Sequence, residues 1–468
     1  MRRLSGLDAA FLYGETPSWH MHVSALAIAD PSQTPGGFDF ERLKQLVVER
    51  LPLVPQFRWR LVEVPFGLDR PGWVEERDFD PDYHIRRIGC PAPGGPEELG
   101  NLVGDLASYK LDRSKPLWEM WVIEGLEDGK VAVLTKMHHS IIDGASGMSI
   151  APLIMDTTPE PAVMGIDHET AMSLAGQRVP SGVELFGRGV VHSLLTPWRT
   201  LRYSTQLGNW GITIGRFARR REMPTMPFQA PRTSLNAEIT PHRRFAYSSV
   251  SLDRVKAVRR AFDVKVNDVV LALCAGALRR YLEAGEELPD TPLVAQVPVS
   301  VRADNDTGVG NKVAAMFASL ATDIDDPGER LRAIYESTQS AKEMQQALAA
   351  KRIMGLTDTT PPGLISLAAR TYSAMGLDGR MAPLFNVIIS NVPGPSFPLY
   401  IGGAKLEAML PMGPLLYGGG LNITVLSYLD NIDFGFMACR ETVRDPWFIA
   451  EGIALALEEL EKAAAELP

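Results

Sequence analysis

Apolar and polar positions along this chain follow two periods, near two and near 3.6 residues, which mark strands and helices in turn. A loose alternation from His20 to Ala29 predicts a strand. Phe40 to Leu51 carries Leu43, Leu46, Val47 and Leu51 at helical spacing, and Pro52 and Pro55 end it. Trp59–Glu63 and Trp73–Glu76 read as a short hairpin, and Glu97–Ala107 as a helix. Leu117–Ile123 is a predicted strand with Trp118, Met120 and Val122 on one face. Lys130–Met137 follows as a buried strand, apolar at Val131, Val133 and Leu134. Beyond Gly144, the spacing of Met148, Ile150, Leu153 and Ile154 predicts a helix from Ser146 onward.

Between Pro159 and Gly182 the pattern turns polar and is broken by Pro and Gly, as in a linker. Val183–Arg221 then interleaves Arg188, Arg199, Arg202, Arg216, Arg219, Arg220 and Arg221 with apolar and aromatic residues such as Trp198, Tyr203, Trp210 and Phe217. That composition suits an inter-domain helix pair with a solvated cationic face, and it also suits attachment to an anionic bilayer surface. Periodic structure resumes near Phe245. Helices are predicted over Leu252–Phe262, Val266–Ala284, Pro327–Met354 and Pro446–Ala465. Strands are predicted over Leu293–Val301, Lys312–Leu320 and Asn386–Ser390, with a hairpin of Leu421–Tyr428 and Ile432–Cys439. The chain thus divides into an α/β unit over 1–158, a linker with a basic amphipathic segment over 159–244, and a second α/β unit over 245–468.

At 468 residues two domains are expected. The 45% hydrophobic and 22% charged content is that of a globular protein, and the formal charge of -9 argues against nucleic-acid binding. Cys90, Cys274 and Cys439 share no metal-ligand spacing and fit a reducing, cytoplasmic compartment. The N-terminus carries no apolar signal region. No stretch reaches the ~18 apolar residues of a spanning helix, so membrane contact is expected to be peripheral.

The chemistry concentrates in Met137-His138-His139-Ser140-Ile141-Ile142-Asp143-Gly144, at the end of the buried strand. Adjacent strand residues point to opposite faces, so the two histidines enter one pocket together only if the strand has already ended. One is the working base and the other structural. His139 is the expected base, four residues before Asp143, since a neutral imidazole suits proton abstraction near neutral pH. Asp143 can orient that imidazole, cap the following helix, or pair with an arginine, and spacing favours the structural roles. Gly144 leaves room for a ligand. Zinc binding through His139 and Asp143 would need a third ligand such as His20 or His22, and no metal is expected. Neither a Gly-x-Ser-x-Gly elbow nor a phosphate-binding glycine loop is present.

The run His138–Gly144 resembles the HHxxxDG motif of the CoA-dependent acyltransferase superfamily. Leu4-Ser5-Gly6-Leu7-Asp8-Ala9-Ala10-Phe11-Leu12, Met21-His22-Val23, Pro116-Leu117-Trp118 with Gly125-Leu126, and Asn267-Asp268-Val269-Val270-Leu271-Ala272 narrow it. So do Pro298-Val299-Ser300-Val301-Arg302 with Gly310-Asn311, and Ser390-Asn391-Val392-Pro393-Gly394-Pro395. Together, in this order, they resemble the bacterial wax ester synthase/diacylglycerol acyltransferase family. The resemblance implies a two-domain, chloramphenicol-acetyltransferase-like α/β fold with a tunnel between the domains. It implies His139 as general base, and an alcohol attacking the thioester of a fatty acyl-CoA with no acyl-enzyme. The CoA thioester is then a substrate, and no cofactor is implied. Diacylglycerol or a fatty alcohol is the implied acceptor; separately, the basic Val183–Arg221 segment suggests peripheral attachment to a membrane or lipid-droplet surface, which suits apolar substrates.

The residues themselves keep simpler readings beside this one. Asn267 or Asp268 can cap a helix, Trp118 can be a core aromatic, and Arg302 can pair with Asp143 or a phosphate. The oxyanion needs donors, and backbone amides near Gly144 are the candidates. Another hydroxyl or amine acceptor on the same fold, or a non-catalytic lipid binder, are the competing functions.

Overall fold

The computed structural model of the chain describes residues 1–141, 154–161, 180–187, 190, 225, 228–300, 313–348 and 382–467. In chain order the strands are β1 (Arg2–Arg3), β2 (His22–Asp30), β3 (Trp59–Val62), β4 (Gly72–Glu75), β5 (Ile85–Gly89), β6 (Trp118–Glu124), β7 (Val131–His138) and β8 (Arg243–Ser251). They continue as β9 (Val294–Ser300), β10 (Val313–Ser319), β11 (Val387–Val392), β12 (Tyr400–Ile401), β13 (Ala404–Met412), β14 (Leu421–Tyr428) and β15 (Asn431–Cys439). The α-helices are α1 (Gly6–Gly14), α2 (Phe40–Arg50), α3 (Pro81–His84), α4 (Pro96–Ser108), α5 (Leu252–Phe262), α6 (Val266–Ala284), α7 (Pro327–Leu348) and α8 (Pro446–Ala465).

Two six-stranded sheets dominate, ordered β12-β13-β2-β7-β6-β5 and β10-β9-β11-β14-β15-β8, with a small sheet β1-β4-β3 beside the first. The unbroken apolar runs of β6 and β7 follow from cover on both faces. Trp118, Met120, Val122, Val131 and Val133 join one core with Leu12 of α1 and Leu43 and Val47 of α2. Ile123, Ala132 and Leu134, on the opposite face, pack with Leu99 and Val103 of α4. In the second half α6 is buried without interruption from Asp268 to Leu278, packed against α5, α7 and α8. Its long apolar run is therefore a core helix. Among the described residues no helix is long and apolar enough to cross a membrane.

Within the described residues the predicted elements appear with small shifts at their ends, and the pairing Leu61↔Trp73 makes β3 and β4 the expected antiparallel pair. Several elements carried no sequence prediction: α1, β5, β8 and the β12–β13 pair. β13 is the consequential one. It comes from residues 404–412 yet lies antiparallel on β2, with Met409 opposite Ala27 and Met412 opposite Ser24. The first sheet thus draws on chain well beyond residue 245. Asp433 of β15 pins this crossing: its carboxylate accepts from Ser249 Oγ of β8 at 2.6 Å and from the Met409 N–H of β13 at 3.0 Å.

Candidate active site

Strand β7 delivers the histidine pair and ends at His138, so the two imidazoles leave the backbone in different settings. The His138 N–H donates to Leu117 O of the Pro116-Leu117-Trp118 run at 3.0 Å, and the His139 N–H to Met21 O at 2.7 Å. His138 sits opposite His22 on β2 and is 1% exposed; His139, one residue on, is half-buried.

Ser140 decides the state of His138. Its backbone N–H lies 3.1 Å and its Oγ 2.7 Å from His138 Nδ1. An amide can only donate, so Nδ1 accepts, and the neutral ring carries its proton on Nε2. Burial holds the His138 pKa well below the usual imidazole range. The sequence attaches no role to Ser140. Ser140 in fact occupies the nitrogen through which His138 would act as a base.

His22 and His20 continue the line behind His138, with ring centroids 6.2 Å and 5.4 Å apart in turn. The expected strand over 20–29 begins only at His22, and His20 precedes it. His20 Nε2 donates to Pro17 O at 2.8 Å, and Leu111 N–H donates to His22 Nε2 at 3.4 Å, so the His22 ring, which accepts there, is neutral. Burial lowers the His20 pKa to about 4 and that of His22 well below its usual value. The 3.7 Å approach of His22 to Glu15 is therefore not a pair of opposite charges. Glu15 instead accepts from Arg113 at 2.7 Å. Among the described residues no group of three or more His, Cys, Asp or Glu side chains is placed to hold a metal ion.

Trp118 is a core residue: its Nε1 donates to Phe57 O at 2.7 Å, and its ring stacks on His84 with centroids 4.6 Å apart. Asn267 and Asp268 sit at the start of α6 in the second half. Asp268 accepts from the Lys265 N–H at 3.0 Å, capping the helix, and from Thr338 Oγ1 of α7 at 2.8 Å. Asn267 Oδ1 accepts from Asn391 Nδ2 at 3.2 Å, joining two of the sequence motifs. Asp143, Gly144, Arg302, Asn311, the helix expected from Ser146 and most of the basic segment lie outside the described residues. Where the chain is described again, Asp156 pairs with Arg50 at 2.6 Å, both buried.

A residue that sequence reading missed is Phe11 of α1. Its ring lies against His139, with centroids 4.4 Å apart and planes inclined by 42°. It stood in the quoted Leu4–Leu12 motif, which had no role attached.

Known proteins agree with this architecture. A model of the wax ester synthase/diacylglycerol acyltransferase catalytic domain matches residues 4–270, and one of the WS/DGAT C-terminal domain matches 309–461. A putative diacylglycerol O-acyltransferase of Mycobacterium tuberculosis is 37% identical over 472 aligned positions, spanning 100% of this chain and 92% of that protein. Another from that organism is 39% identical over 461 positions, spanning 98% and 99%. The solved wax ester synthase/diacylglycerol acyltransferase from Marinobacter aquaeolei VT8 superposes with a TM-score of 0.70 at 32% identity, covering 99% of this chain and 100% of that one. The starter condensation domain of rhizomide synthetase, at 13% identity and a TM-score of 0.53 over 100% of this chain and 95% of its own, shares the fold alone. With its histidine pair at the end of β7 and both family models matching in order, the chain belongs to the wax ester synthase/diacylglycerol acyltransferase family.

Proposed function

We propose that this protein transfers a long-chain fatty acyl group from acyl-CoA to the hydroxyl of diacylglycerol or a long-chain alcohol, with His139 as general base. Family membership supports the reaction. The assignment of the base rests on one observation: His138 is buried with Nδ1 occupied by Ser140, whereas His139 is half-buried beyond the strand end. In this reading the acceptor hydroxyl gives its proton to neutral His139 as its oxygen attacks the thioester carbon. The tetrahedral intermediate collapses, the C–S bond breaks, and the CoA thiolate takes the proton back from the imidazolium. Asp143 and Gly144 support the turn that follows. The units over 1–158 and 245–468 flank a substrate tunnel, and the basic segment within 159–244 brings the protein to an anionic lipid surface.

The test is ester formation from a labelled long-chain acyl-CoA with dioleoylglycerol or hexadecanol. Substitution His139→Ala is expected to lower turnover by about 10²–10⁴-fold with little change in melting temperature. His138→Ala is expected to melt lower while keeping measurable turnover. No ester with any hydroxyl acceptor would refute the reaction, and full activity in both variants would refute the choice of base.

A further inference from the structure

The hairpin of β3 and β4 turns through Pro65–Gly67, and that turn carries Phe66, which is 89% exposed. Its backbone stands at φ 58° and ψ 12°, in the left-handed region that asparagine and glycine occupy at least cost. Either of those residues would keep the turn and expose no apolar surface. The hairpin packs inward through Leu61, Val64 and Trp73, all buried. Neither the turn nor the core therefore accounts for a phenylalanine at position 66. Such strain persists where the exposed side chain itself is used.

A second ring meets it from far along the chain. Residues 182–187 are helical and start from a reciprocal cap: Glu184 Oε2 accepts from the Ser181 N–H at 2.8 Å, and Ser181 Oγ accepts from the Glu184 N–H at 3.4 Å. Leu185 is buried, while Val183 and Phe186, three positions apart on one face, are 82% and 42% exposed. Phe186 sets its ring edge-on to Phe66, with centroids 6.1 Å apart. A helix normally turns its apolar face to the core. This one leaves two large apolar side chains open beside an open aromatic ring, which marks a contact surface.

Charge identifies what covers these rings. From Val183 to Arg221 the sequence holds seven arginines and one acidic residue, Glu184, although the whole chain carries a formal charge of -9. Phe186 thus stands at the start of a strongly cationic stretch. An anionic phospholipid surface complements it, whereas a symmetric pair of chains would bring the same arginines together. We propose that Phe66 and Phe186 form one wedge that inserts between the headgroups of an anionic phospholipid surface. The β3–β4 hairpin then holds the protein there together with the basic segment, and fixes which side faces the lipid. The proposal rests on the lipid-surface reading of the basic segment and adds to it an apolar anchor.

Wild type, Phe66→Asn, Phe186→Ala and the double variant are compared by co-sedimentation with vesicles of equal parts phosphatidylcholine and phosphatidylglycerol. Asparagine suits the left-handed turn, so Phe66→Asn is expected to melt no lower than wild type. Each single variant is expected to lower the partition coefficient on the order of 10-fold, and the double variant further. Acyl transfer on detergent-dispersed substrates is expected to be unchanged in all three. As a second measurement, an environment-sensitive fluorophore is placed on Phe66→Cys in a Cys90→Ser background. Its emission is expected to shift to the blue on adding these vesicles. Full vesicle binding by the folded double variant, or a fluorophore that stays in water on bound protein, would overturn the proposal. Loss of a dimer in place of vesicle binding would overturn it too, by assigning the rings to a protein contact. A wild type that ignores anionic vesicles would refute the lipid-surface reading and the wedge together, whereas equal binding by wild type and double variant refutes the wedge alone. Neither readout requires turnover, so the acyl-transfer reading stands or falls separately.

Discussion

Strand β7 stops between two histidines, and that single step in the backbone separates a solvent-shielded imidazole from a half-buried one. The shielded group belongs to a set. Burial brings His20 and His84 down to about 4 and holds His22 and His138 well below the usual imidazole range. In the unfolded chain all four titrate near 6.5. As pH falls below that value the unfolded state binds protons that the folded state refuses, so stability drops. For His20 and His84 the loss runs from about 6.5 to about 4 and then levels; for His22 and His138 it continues further into acid. Thermal melts across this window are expected to show the melting temperature falling steadily with acidification, and less steeply in His84→Gln. A flat profile between about pH 6.5 and 5 would contradict neutral burial of these rings. Strand alternation is a local rule, so the sequence sets the two histidines in different surroundings, and in the structure His138 is buried and His139 half-buried. Ser140 escaped notice because its bonds to Nδ1 depend on how the chain turns after the strand, which no periodicity records.

Elements were legible where one physical pattern dominated. The helices α2, α6 and α8 and the strands β6, β7, β14 and β15 each carry a consistent period or an unbroken apolar run, and each lies close to its predicted bounds. β13 was not legible. Its inward Leu406 between outward Lys405 and Glu407 gives only a short alternation, a bulge interrupts it near Ala408, and Pro411 argues against a strand. The proline is tolerated because β12 covers only Lys405 and Ala404, leaving the far end of β13 paired with β2 alone. The Pro393-Gly394-Pro395 stop after β11 has a packing cause as well. A Cβ on Gly394 would collide with the carbonyl oxygen of Ser427 on β14, whose Oγ accepts the Gly394 N–H at 3.1 Å. Gly394→Ala is therefore expected to destabilise by about 1–3 kcal/mol in denaturant titration. Gly89→Ala is the control: Gly89 is exposed and has nothing within 4 Å of its added Cβ, so its midpoint should hardly move. Equal effects at the two sites would show that close approach at Gly394 is not the reason for the glycine.

At the scale of the molecule, β13 and α4 make the two halves interdependent. α4 packs on the first sheet through Leu99 and Val103, and its other side meets β8, where a Cβ on Gly104 would come within 2.7 Å of Arg243 O. The buried Lys136 of β7 donates to Leu106 O and Tyr109 O at 3.0 Å each, holding the end of α4 beneath the strand that leads into the histidine pair. Without residues 404–412, β2 would lose its neighbour on the side away from β7 and become an open apolar edge inside the first sheet. Two family models matched in succession suggest separable domains, but this pairing predicts otherwise. A fragment of residues 1–244 expressed alone should be insoluble or molten. Co-expressed with 245–468 it should recover soluble complex, because the second fragment returns β13 to β2. The intact chain should accordingly unfold in one cooperative transition, with the signal from Trp118 in the first half and Trp447 in the second falling together. Two separate transitions, or a well-folded 1–244 fragment, would mean that β13 is an appendage to the first sheet and that strand β7, which leads into His139, does not need it.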